Sequence, residues 1–345
     1  MIISVDAYGG DNAPMSVIKG CAEAVAEYDI KILLAGKTEE LKKLFEENNI
    51  SQKNIEFVNA SEIITMHDDP ASVVRSKKDS SMAVAFQLLK DGKADAFVSA
   101  GNTGALYMGA TFIVKRIKNI KRAALASLIP TDNGKKLLMD CGANTDNTVE
   151  QLVQFAVMGS VYMEKVIGVE SPKVGLLNNG TEDTKGDDLR VETNSVLKTL
   201  DINYVGNVEG RDIPFGNADV YITDGFSGNL VLKAIEGTAL SMMCNVKNIF
   251  KKNIMTKLCA LILKSGLYSI KEKMDYREYG GAPLLGISKP VIKAHGSCDE
   301  TAFKNAIHQA VIFTRENVVG IIEDFANEQK KEKNSQNNID NKSKN

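Results

Sequence analysis

The sequence lacks the cysteine and histidine patterns that mark a disulfide-bonded or zinc-binding protein. Its five cysteines are scattered without a C-x-x-C pair, and it has only three histidines. This usage is typical of a reducing cytosol and predicts no bound metal. No apolar run approaches the ~18 residues of a membrane-spanning helix, and the chain opens on the apolar Ile2-Ile3-Ser4-Val5 instead of a basic leader. We therefore predict a cytoplasmic protein that touches a membrane at its surface or not at all.

The usual nucleotide-binding motifs are also missing. There is no G-x-x-x-x-G-K-[ST], and no G-x-G-x-x-G is followed by an acidic residue at the expected distance. The lysine within Gly180–Gly186 stands in the wrong order for a phosphate-binding loop. The formal net charge of -2 gives no indication of nucleic-acid binding. These absences predict that any anion site is built locally, from loops and a few lysines, without a nucleotide cofactor.

Short apolar segments alternate with longer amphipathic ones along most of the chain. This alternation predicts an α/β fold in which helices cover both faces of a largely parallel sheet. No internal repeat or proline-rich linker divides residues 1–326, which we predict to form a single domain, whereas the polar residues 327–345 predict a disordered tail. Helical spacing occurs at Leu106–Arg116 and Val149–Lys165, and a further helix is predicted at Ser80–Lys90. Nine segments are predicted to be strands: Ile2–Asp6, Ile32–Ala35, Ile55–Val58, Ala96–Ser99, Ala124–Ile129, Leu137–Asp140, Val174–Leu177, Tyr204–Asn207 and Val220–Thr223.

Loops rich in glycine and small polar residues follow five of the predicted strands, at 6–14, 99–104, 140–146, 177–186 and 223–229. In a doubly wound sheet the carboxyl ends of the strands line one crevice, where ligands bind. Glycine lets backbone N–H groups approach a ligand closely, and helix N-termini favour phosphate. One such loop is usually an ordinary turn and helix cap. Five of them at the same edge predict a small-anion site.

One of these loops comes close to a serine-hydrolase motif. Gly225-Phe226-Ser227-Gly228-Asn229 differs from G-x-S-x-G because Asn229 replaces the last glycine. With Asp275 and His295 downstream, Ser227 could serve as the nucleophile of a thioesterase or hydrolase. The broken motif and the distant partners make this the weaker alternative.

Five stretches in series resemble the bacterial phosphate acyltransferases of phospholipid synthesis, which convert acyl-acyl-carrier-protein and phosphate to acyl phosphate and free carrier protein. The resemblance implies a three-layer α/β/α fold related to phosphotransacetylases and isocitrate dehydrogenases, a homodimer, and neither metal nor nucleotide cofactor. The matching stretches are D-A-Y-G-G-D-N-A-P (6–14), R-S-K-K-D-S-S-M (75–82), S-A-G-N-T-G-A-L (99–106), D-G-F-S-G-N (224–229) and K-A-H-G-S-C-D (293–299).

The chain departs from the family pattern at three places. The family usually has methionine where Tyr8 stands, and serine is commoner where Cys298 stands. It usually has N-I-G-E-E where this chain has Asn178-Asn179-Gly180-Thr181-Glu182. The role of Glu182 therefore stays open, while Lys185 and Gly186 keep their places.

The reaction that the resemblance implies requires positioning more than activation. Phosphate is already anionic, and the leaving thiol has an ordinary pKa of ~8.5. The enzyme must hold the two partners together and stabilise a developing oxyanion, and no covalent intermediate is required. The predicted catalytic residues are His295, Asn229 and Ser227. The predicted phosphate- and substrate-binding residues are Asp6, Gly9, Gly10, Lys77, Lys78, Gly101, Asn102, Thr103, Gly104, Lys185, Asp224, Gly228 and Ser297.

Several of these assignments keep an alternative. His295 is interpreted as a general acid or an oxyanion donor, although a lone histidine is more often a packed or capping residue. Arg75, Lys77 and Lys78 could bind phosphate or form a solvated face. Lys185 could bind phosphate or the acidic carrier protein. A non-catalytic module that binds carrier protein would explain the lysines but leaves the polar loops without a purpose.

A basic amphipathic segment lies within the chain at 246–274. Val246–Lys273 holds seven lysines and one acid, Glu272, and its apolar residues recur with helical spacing that breaks at Gly266. This pattern predicts a helical hairpin. It could form a dimer interface, or it could contact anionic lipid through Leu258 and Ile262.

Overall fold

An 11-stranded sheet forms the middle of the protein, as seen in a computed structural model that describes residues 1–267 and 280–342, with side chains through residue 331. The strands are β1 (Ile2–Asp6), β2 (Lys31–Gly36), β3 (Ile55–Asn59), β4 (Ala96–Ser99), β5 (Ala124–Thr131), β6 (Gly134–Met139), β7 (Val174–Asn178), β8 (Tyr204–Glu209), β9 (Val220–Ile222), β10 (Ala282–Leu285) and β11 (Val291–Lys293). Their order across the sheet is β3-β2-β1-β4-β11-β10-β5-β6-β9-β7-β8.

Helices connect the strands. They are α1 (Met15–Glu27), α2 (Thr38–Glu47), α3 (Ser72–Arg75), α4 (Ser81–Lys90), α5 (Thr103–Gly109), α6 (Val149–Tyr162), α7 (Asp188–Leu197), α8 (Gly225–Lys251), α9 (Ile254–Ile262), α10 (Glu300–Arg315) and α11 (Val318–Lys342). Wider π-helical turns extend α5 over Ala110–Val114 and α6 over Met163–Ile167, and a 3₁₀ turn spans Gly210–Phe215.

The sheet consists of two parallel halves that run in opposite directions. The first half is β3, β2, β1, β4 and β11, and the second is β6, β9, β7 and β8. Between them β10 pairs antiparallel with both β11 and β5, and β5 pairs antiparallel with β6. The carboxyl ends of the two halves therefore lie at opposite edges of the sheet. The prediction that all five polar loops share one edge is wrong, because it assumed a single strand direction.

Helices cover both faces and bury three apolar clusters. On one face α4, α5 and α8 pack over the sheet around Phe86 and Phe97, whose rings stack with centroids 4.0 Å apart. On the other face α1 and α10 cover the first half around Phe303, and α6 and α11 cover the second around Phe155. Neighbouring residues of one strand point to opposite faces, as Phe97 and Val98 do. This arrangement confirms the predicted three-layer α/β/α fold.

All nine predicted strands occur, with ends shifted by a few residues at most, and two strands were missed. Strand β10 contains Pro283 and β11 is only three residues long, so neither has a clear strand pattern. Helix α5 begins earlier than the predicted Leu106, because the Asn102 side chain caps it by accepting a hydrogen bond from the Ala105 amide at 3.0 Å.

In the described part of the basic segment, 246–267, the chain is largely helical, and its first break comes earlier than the predicted Gly266. Helix α8 ends at Lys251 and α9 starts after Asn253, whose side chain accepts a hydrogen bond from the Thr256 amide at 2.9 Å. This cap, rather than Gly266, separates the helices. The rest of the predicted hairpin, 268–274, lies outside the described residues.

The polar tail is also different from the prediction. Helix α11 runs to Lys342, so the range 327–342 is helical where we predicted disorder. Val318, Ile322 and Ala326 bury the start of this helix, and the following Glu, Gln and Lys residues are good helix formers. Among the described helices, none combines the length and apolar character needed to cross a bilayer.

The core around Phe97 generates a stability prediction. Phe97→Ala should lower the free energy of unfolding by ~3–5 kcal/mol, because it leaves a cavity against Phe86. Phe112→Ala removes an equal side chain that is 60% exposed and should change stability by no more than ~0.5 kcal/mol. Urea unfolding followed by circular dichroism measures both. Equal midpoints for the two variants would contradict this account of the core.

Candidate active site

A buried carboxylate holds together the loops of the first half. Asp6, at the end of β1, is 2% exposed and accepts hydrogen bonds from Ser81 Oγ at 2.6 Å and Ser99 Oγ at 2.7 Å. The Tyr8 amide donates to it at 3.3 Å. Burial raises the pKa of Asp6 above its usual value, although these hydrogen bonds act in the opposite direction. Asp6 thus joins three segments through its two carboxylate oxygens and positions their loops, and its role as a substrate-binding residue stays a prediction.

Glycines let these loops touch. A Cβ on Gly9 would lie 2.5 Å from the Gly101 amide nitrogen, so neither loop could come as close with a larger residue. Gly10 has a φ of +103°, and the next amide, Asp11, donates to the Gly296 carbonyl at 2.7 Å. The structure therefore brings the predicted Gly9, Gly10 and Gly101 together with the loop that carries His295 and Ser297. We call this set the first cluster.

Sequence reasoning missed a lysine in the first cluster. Lys293, the last residue of β11, is 8% exposed, and its amine donates to the carbonyl oxygens of Ala100, at 3.1 Å, and Ala294. Burial lowers its pKa to about 8, although the nearby Asp6 acts in the opposite direction. A lysine that ends an otherwise apolar strand was the signal available in the sequence.

His295 lies on the surface of the first cluster. Its Nδ1 is 2.9 Å from Ser297 Oγ. The side chain reaches solvent, but partial desolvation lowers its pKa below the usual 6.5, and the positive charge of Lys233 lowers it further. This shift favours the neutral imidazole at pH 7. A neutral imidazole donates one N–H without carrying a mobile acidic proton, which favours the oxyanion-donor interpretation over the general acid.

The predicted residues near the start of α5 are mostly engaged by the segment 62–81. Asn102 Nδ2 donates to the Met66 carbonyl at 3.3 Å, and a Cβ on Gly104 would lie 2.7 Å from Pro70 Cγ. Lys77 Nζ donates to Asp68 Oδ2 at 2.8 Å and to the Ile63 carbonyl at 2.9 Å. The pKa of Asp68 falls to about 2 through its hydrogen bond with Lys77. Lys77 thus braces this segment, and its assignment to phosphate stays a prediction.

Lys78 and Thr103 are less constrained. Lys78 is exposed within this segment, and Thr103 is the first residue of α5 and partly exposed. Both keep their predicted roles as open assignments.

The loops of the second half form a separate cavity of about 410 Å³ at the opposite edge. Asp224 caps α8 by accepting a hydrogen bond from the Ser227 amide at 2.8 Å, and Ser227 Oγ donates to Asp224 Oδ2 at 2.9 Å. Arg190 pairs with Asp224 and, at 2.7 Å, with Asp187. Burial alone would raise the pKa of Asp224, but these hydrogen bonds hold it below its usual range. The residues that line the cavity are Leu177, Asn178, Asn179, Gly186, Asp187, Arg190, Thr223 and Ser227. Together with Asp224, we call them the second cluster.

Arg190 was not predicted, and Lys185 lies beside the cavity instead of in it. Arg190 is on α7, directly after the loop that departs from the family pattern, and its side chain is 16% exposed. The Lys185 side chain is exposed, while its carbonyl accepts a hydrogen bond from Asn178 Nδ2 at 2.9 Å. Arg190 is therefore a cation that two ion pairs hold at this cavity.

The arrangement gives no support to a serine hydrolase. The hydroxyl of Ser227 bonds to Asp224, whereas His295 bonds to Ser297 at the other edge of the sheet. Residues two apart on a helix point in different directions, so Ser227 and Asn229 do not face one site. Asp275, the third member of that hypothesis, lies outside the described residues.

The start of α8 is fixed by close contacts with the loop after β6. The Gly225 amide donates to the Asn144 carbonyl at 2.6 Å, and a Cβ on Gly228 would lie 1.9 Å from the Asp140 carbonyl oxygen. The Gly228 amide donates to the Asp224 carbonyl at 2.9 Å. Gly228 therefore serves helix packing, and its assignment to phosphate binding stays a prediction.

Helix α8 also connects the two clusters. Lys233 and Glu236, two and three turns along it, form an ion pair at 2.7 Å. Both charges interact with the His295 imidazole of the first cluster. In the described residues, no group of three His, Cys, Asp or Glu side chains is placed to hold a metal ion. A wider, open hollow of about 680 Å³ lies at the β2–β3 edge around Thr38 and includes none of the predicted site residues.

The chain matches a family model over nearly its whole length. Residues 1–320 match the model described as "Fatty acid synthesis protein". A phosphate acyltransferase of Thermoanaerobacterium thermosaccharolyticum is 47% identical over 323 residues, which cover 94% of this chain and 96% of the relative. Those of Clostridioides difficile and Caldanaerobacter subterraneus subsp. tengcongensis are 47% and 49% identical, over 94% and 90% of this chain and 96% and 92% of theirs.

Solved structures of lower sequence identity share the fold. A phosphotransacetylase from Streptococcus pyogenes superposes with a TM-score of 0.61 at 19% identity, covering 93% of this chain and 94% of that one. The EutD phosphotransacetylase from Staphylococcus aureus gives a TM-score of 0.60 at 16% identity, covering 91% and 94%. These likenesses confirm the predicted phosphotransacetylase-like fold.

The position of Lys233 generates a prediction about His295. Because a nearby positive charge disfavours protonation, Lys233→Met should raise the pKa of His295 toward its ordinary value. The matched control is Lys43→Met, since Lys43 forms a similar ion pair with Glu47 at 3.6 Å on the distant α2. NMR titration of the histidine ring signals measures both variants. An unchanged His295 titration in Lys233→Met would show that α8 does not approach the first cluster in this way.

Proposed function

The chain belongs to the phosphate acyltransferase family and is an acyl-transferring enzyme, and from that premise we propose that it moves an acyl group from acyl-carrier protein to inorganic phosphate. The observation that carries this proposal is the 47% identity to a phosphate acyltransferase over 94% of the chain. The name of these relatives supports phosphate as the acceptor. The matching fatty acid synthesis model supports a thioester of the carrier protein as the donor, and hence a role in supplying phospholipid synthesis.

In the proposed reaction a phosphate oxygen attacks the thioester carbonyl carbon. The carbonyl electrons move onto its oxygen, and when they return the C–S bond breaks. The products are acyl phosphate and the thiolate of the carrier protein, which then takes up a proton. Phosphate needs no activation to be nucleophilic, so the protein must orient the partners and stabilise the carbonyl oxyanion.

The first cluster suits the oxyanion in this proposal. A neutral His295 can donate an N–H, and Ser297 at 2.9 Å fixes the ring. Backbone amides of the loop that carries Gly9 and Gly10 are further candidate donors, whereas the Gly101 amide donates to Ser99 Oγ at 2.9 Å. Asp6 and Lys293 do not touch substrate in this account. They hold the loops in place through their buried hydrogen bonds.

The remaining predicted residues have supporting roles in the proposal. Thr103 and Asn229 would contact the substrates at the starts of α5 and α8, while Lys78 and Lys185 are exposed cations suited to the acidic carrier protein. Ser227 does not become acylated. Its hydroxyl is held by Asp224 in the cavity of the second cluster.

Helices α8 and α9 give the proposal a second part. Leu258 and Ile262 are 51% and 81% exposed, and Leu240 on α8 is 70% exposed. An apolar surface of this extent marks a partner or a membrane. We propose that it is covered in a homodimer, at an anionic membrane surface of the cytoplasm, or at both. Delivery at a membrane would suit an acyl phosphate, whose chain is poorly soluble in water.

The transfer itself is tested with purified protein and acyl-carrier thioester. Free carrier protein and acyl phosphate should appear together, and only when phosphate is present. Ser227→Ala should retain this phosphate-dependent activity. Phosphate-independent release of carrier protein that Ser227→Ala abolishes would replace the proposal with a hydrolase. Binding of carrier protein without any turnover would replace it with a binding module.

The membrane part is tested by flotation with anionic vesicles. Wild-type protein should float with the vesicles, and Leu258→Glu should float much less because a charge cannot enter the apolar layer. Sedimentation of both proteins without lipid reports the oligomeric state. Equal flotation of the two proteins would rule out insertion of α9, and a monomer in both would rule out the homodimer.

A further inference from the structure

Helix α8 presents one polar flank beside its buried stripe. Val231, Leu232 and Ile235 pack against the sheet. Asn229, Lys233 and Glu236 follow one another at spacings of four and three residues, so they share a side of the helix. The flank thus contains one predicted catalytic residue and two charged residues that sequence reasoning did not single out.

The rotation of α8 that sets this flank is fixed by backbone contacts at its start. Gly225 and Gly228 lie too close to Asn144 and Asp140 for α8 to turn about its axis. The flank begins beside Gly142, where a Cβ would lie 3.6 Å from the Asn229 side chain. It continues toward the loop after β11, because the charges of Lys233 and Glu236 both interact with His295. Lys233 therefore lies one helical turn beyond Asn229 on this flank, on the side that leads from the loop after β6 toward His295.

Lys233 differs from Lys77, which was first assigned to phosphate, and from the buried Lys293 of the first cluster. The amine of Lys77 is held by Asp68 and a carbonyl, and the amine of Lys293 is buried against two carbonyls. Lys233 is 54% exposed and bonds to Glu236 at 2.7 Å within the same helix. An exposed ion pair of this type is worth ~1 kcal/mol at most. The amine is thus free to exchange its carboxylate partner for a stronger one.

Inorganic phosphate is such a partner. At neutral pH it carries more negative charge than one carboxylate and offers several acceptor oxygens, so its hydrogen bonds to an ammonium group are short and strong. We propose that Lys233 binds the phosphate substrate and that Glu236 holds its amine until phosphate arrives. The inference rests on the proposed function and adds which cation binds inorganic phosphate, the acyl acceptor. It places the phosphate beside Asn229 and within reach of a carbonyl bound near His295.

Removal of the Lys233 charge and removal of the Glu236 charge should change the phosphate KM in opposite directions. Lys233→Met should raise the phosphate KM by about 10- to 100-fold, the range expected for one charge-assisted hydrogen bond. Glu236→Gln should lower the phosphate KM by roughly two- to fivefold, because it removes a competitor for the amine. The KM for acyl-carrier protein should stay within about twofold in both, since neither charge contacts the donor in this account.

Matched controls come from the ion pair on α2. Lys43→Met and Glu47→Gln break a pair of the same residue types at 3.6 Å, far from both clusters. They should leave both KM values unchanged. A purely structural role of Lys233 would lower activity at all phosphate concentrations, and Glu236→Gln would then lower it as well.

Two outcomes would overturn the inference in an active enzyme. An unchanged phosphate KM in Lys233→Met would remove the lysine from the phosphate site. A lower kcat at constant phosphate KM would assign its amine to the thioester oxygen instead. Calorimetric titration of the full-length protein with inorganic phosphate, without acyl donor, gives a readout independent of turnover. If the wild type fails to form acyl phosphate, the proposed function falls, and this titration still decides between wild type and Lys233→Met.

Discussion

Asp140 accepts hydrogen bonds from the amides of Leu125, Gly142, Ala143 and Asn144, and from the Asn144 side chain, at 2.8 to 3.2 Å. Leaving such a group buried without its donors costs ~1–3 kcal/mol for each unsatisfied partner. The carboxylate therefore fixes the loop after β6 to the beginning of β5. The carbonyl of the same residue lies against Gly228, so the start of α8 is fixed as well. The positions of the residues on the polar flank of α8 depend on this contact between Asp140 and Gly228.

The two halves of the sheet run in opposite directions, so their polar loops lie at opposite edges. A long helix, α8, connects the loops of one edge with those of the other. The first cluster and the second cluster lie at opposite edges of the sheet, and neither contains all the predicted residues. Helix α8 starts in the second cluster at Asp224 and passes the first cluster at Lys233. The Tyr107 hydroxyl, which donates to Asn144 Oδ1 at 2.9 Å, makes a parallel link from α5. The two helices thus connect residues of both clusters across the face of the sheet that they cover.

Much of the fold was predictable because its signals are local. Apolar segments such as Val174–Asn178 read as buried strands, and Asn102 and Asp224 occupy positions where helix caps are favoured. The direction of the second half was not predictable, since it depends on β10 and β5 pairing across more than 150 positions of sequence. Charged side chains posed the same difficulty. Lys77 looked free for phosphate because its partner Asp68 lies outside the motif, and Arg190 and Lys233 gained meaning only from their tertiary neighbours.

Helix α8 has 27 residues, so its far end lies much further from its fixed start than Lys233 does. At ~1.5 Å per residue, Lys251 lies ~36 Å from the contacts at Ser227, whereas Lys233 lies only ~9 Å from them. If the helix moves as one body about its glycine-packed start, a displacement at the far end appears at Lys233 reduced to about one quarter. Several ångströms of movement in the exposed apolar arm would thus become about one ångström at the amine. Under that condition, a large displacement at the surface would become a small shift of the Lys233 charge.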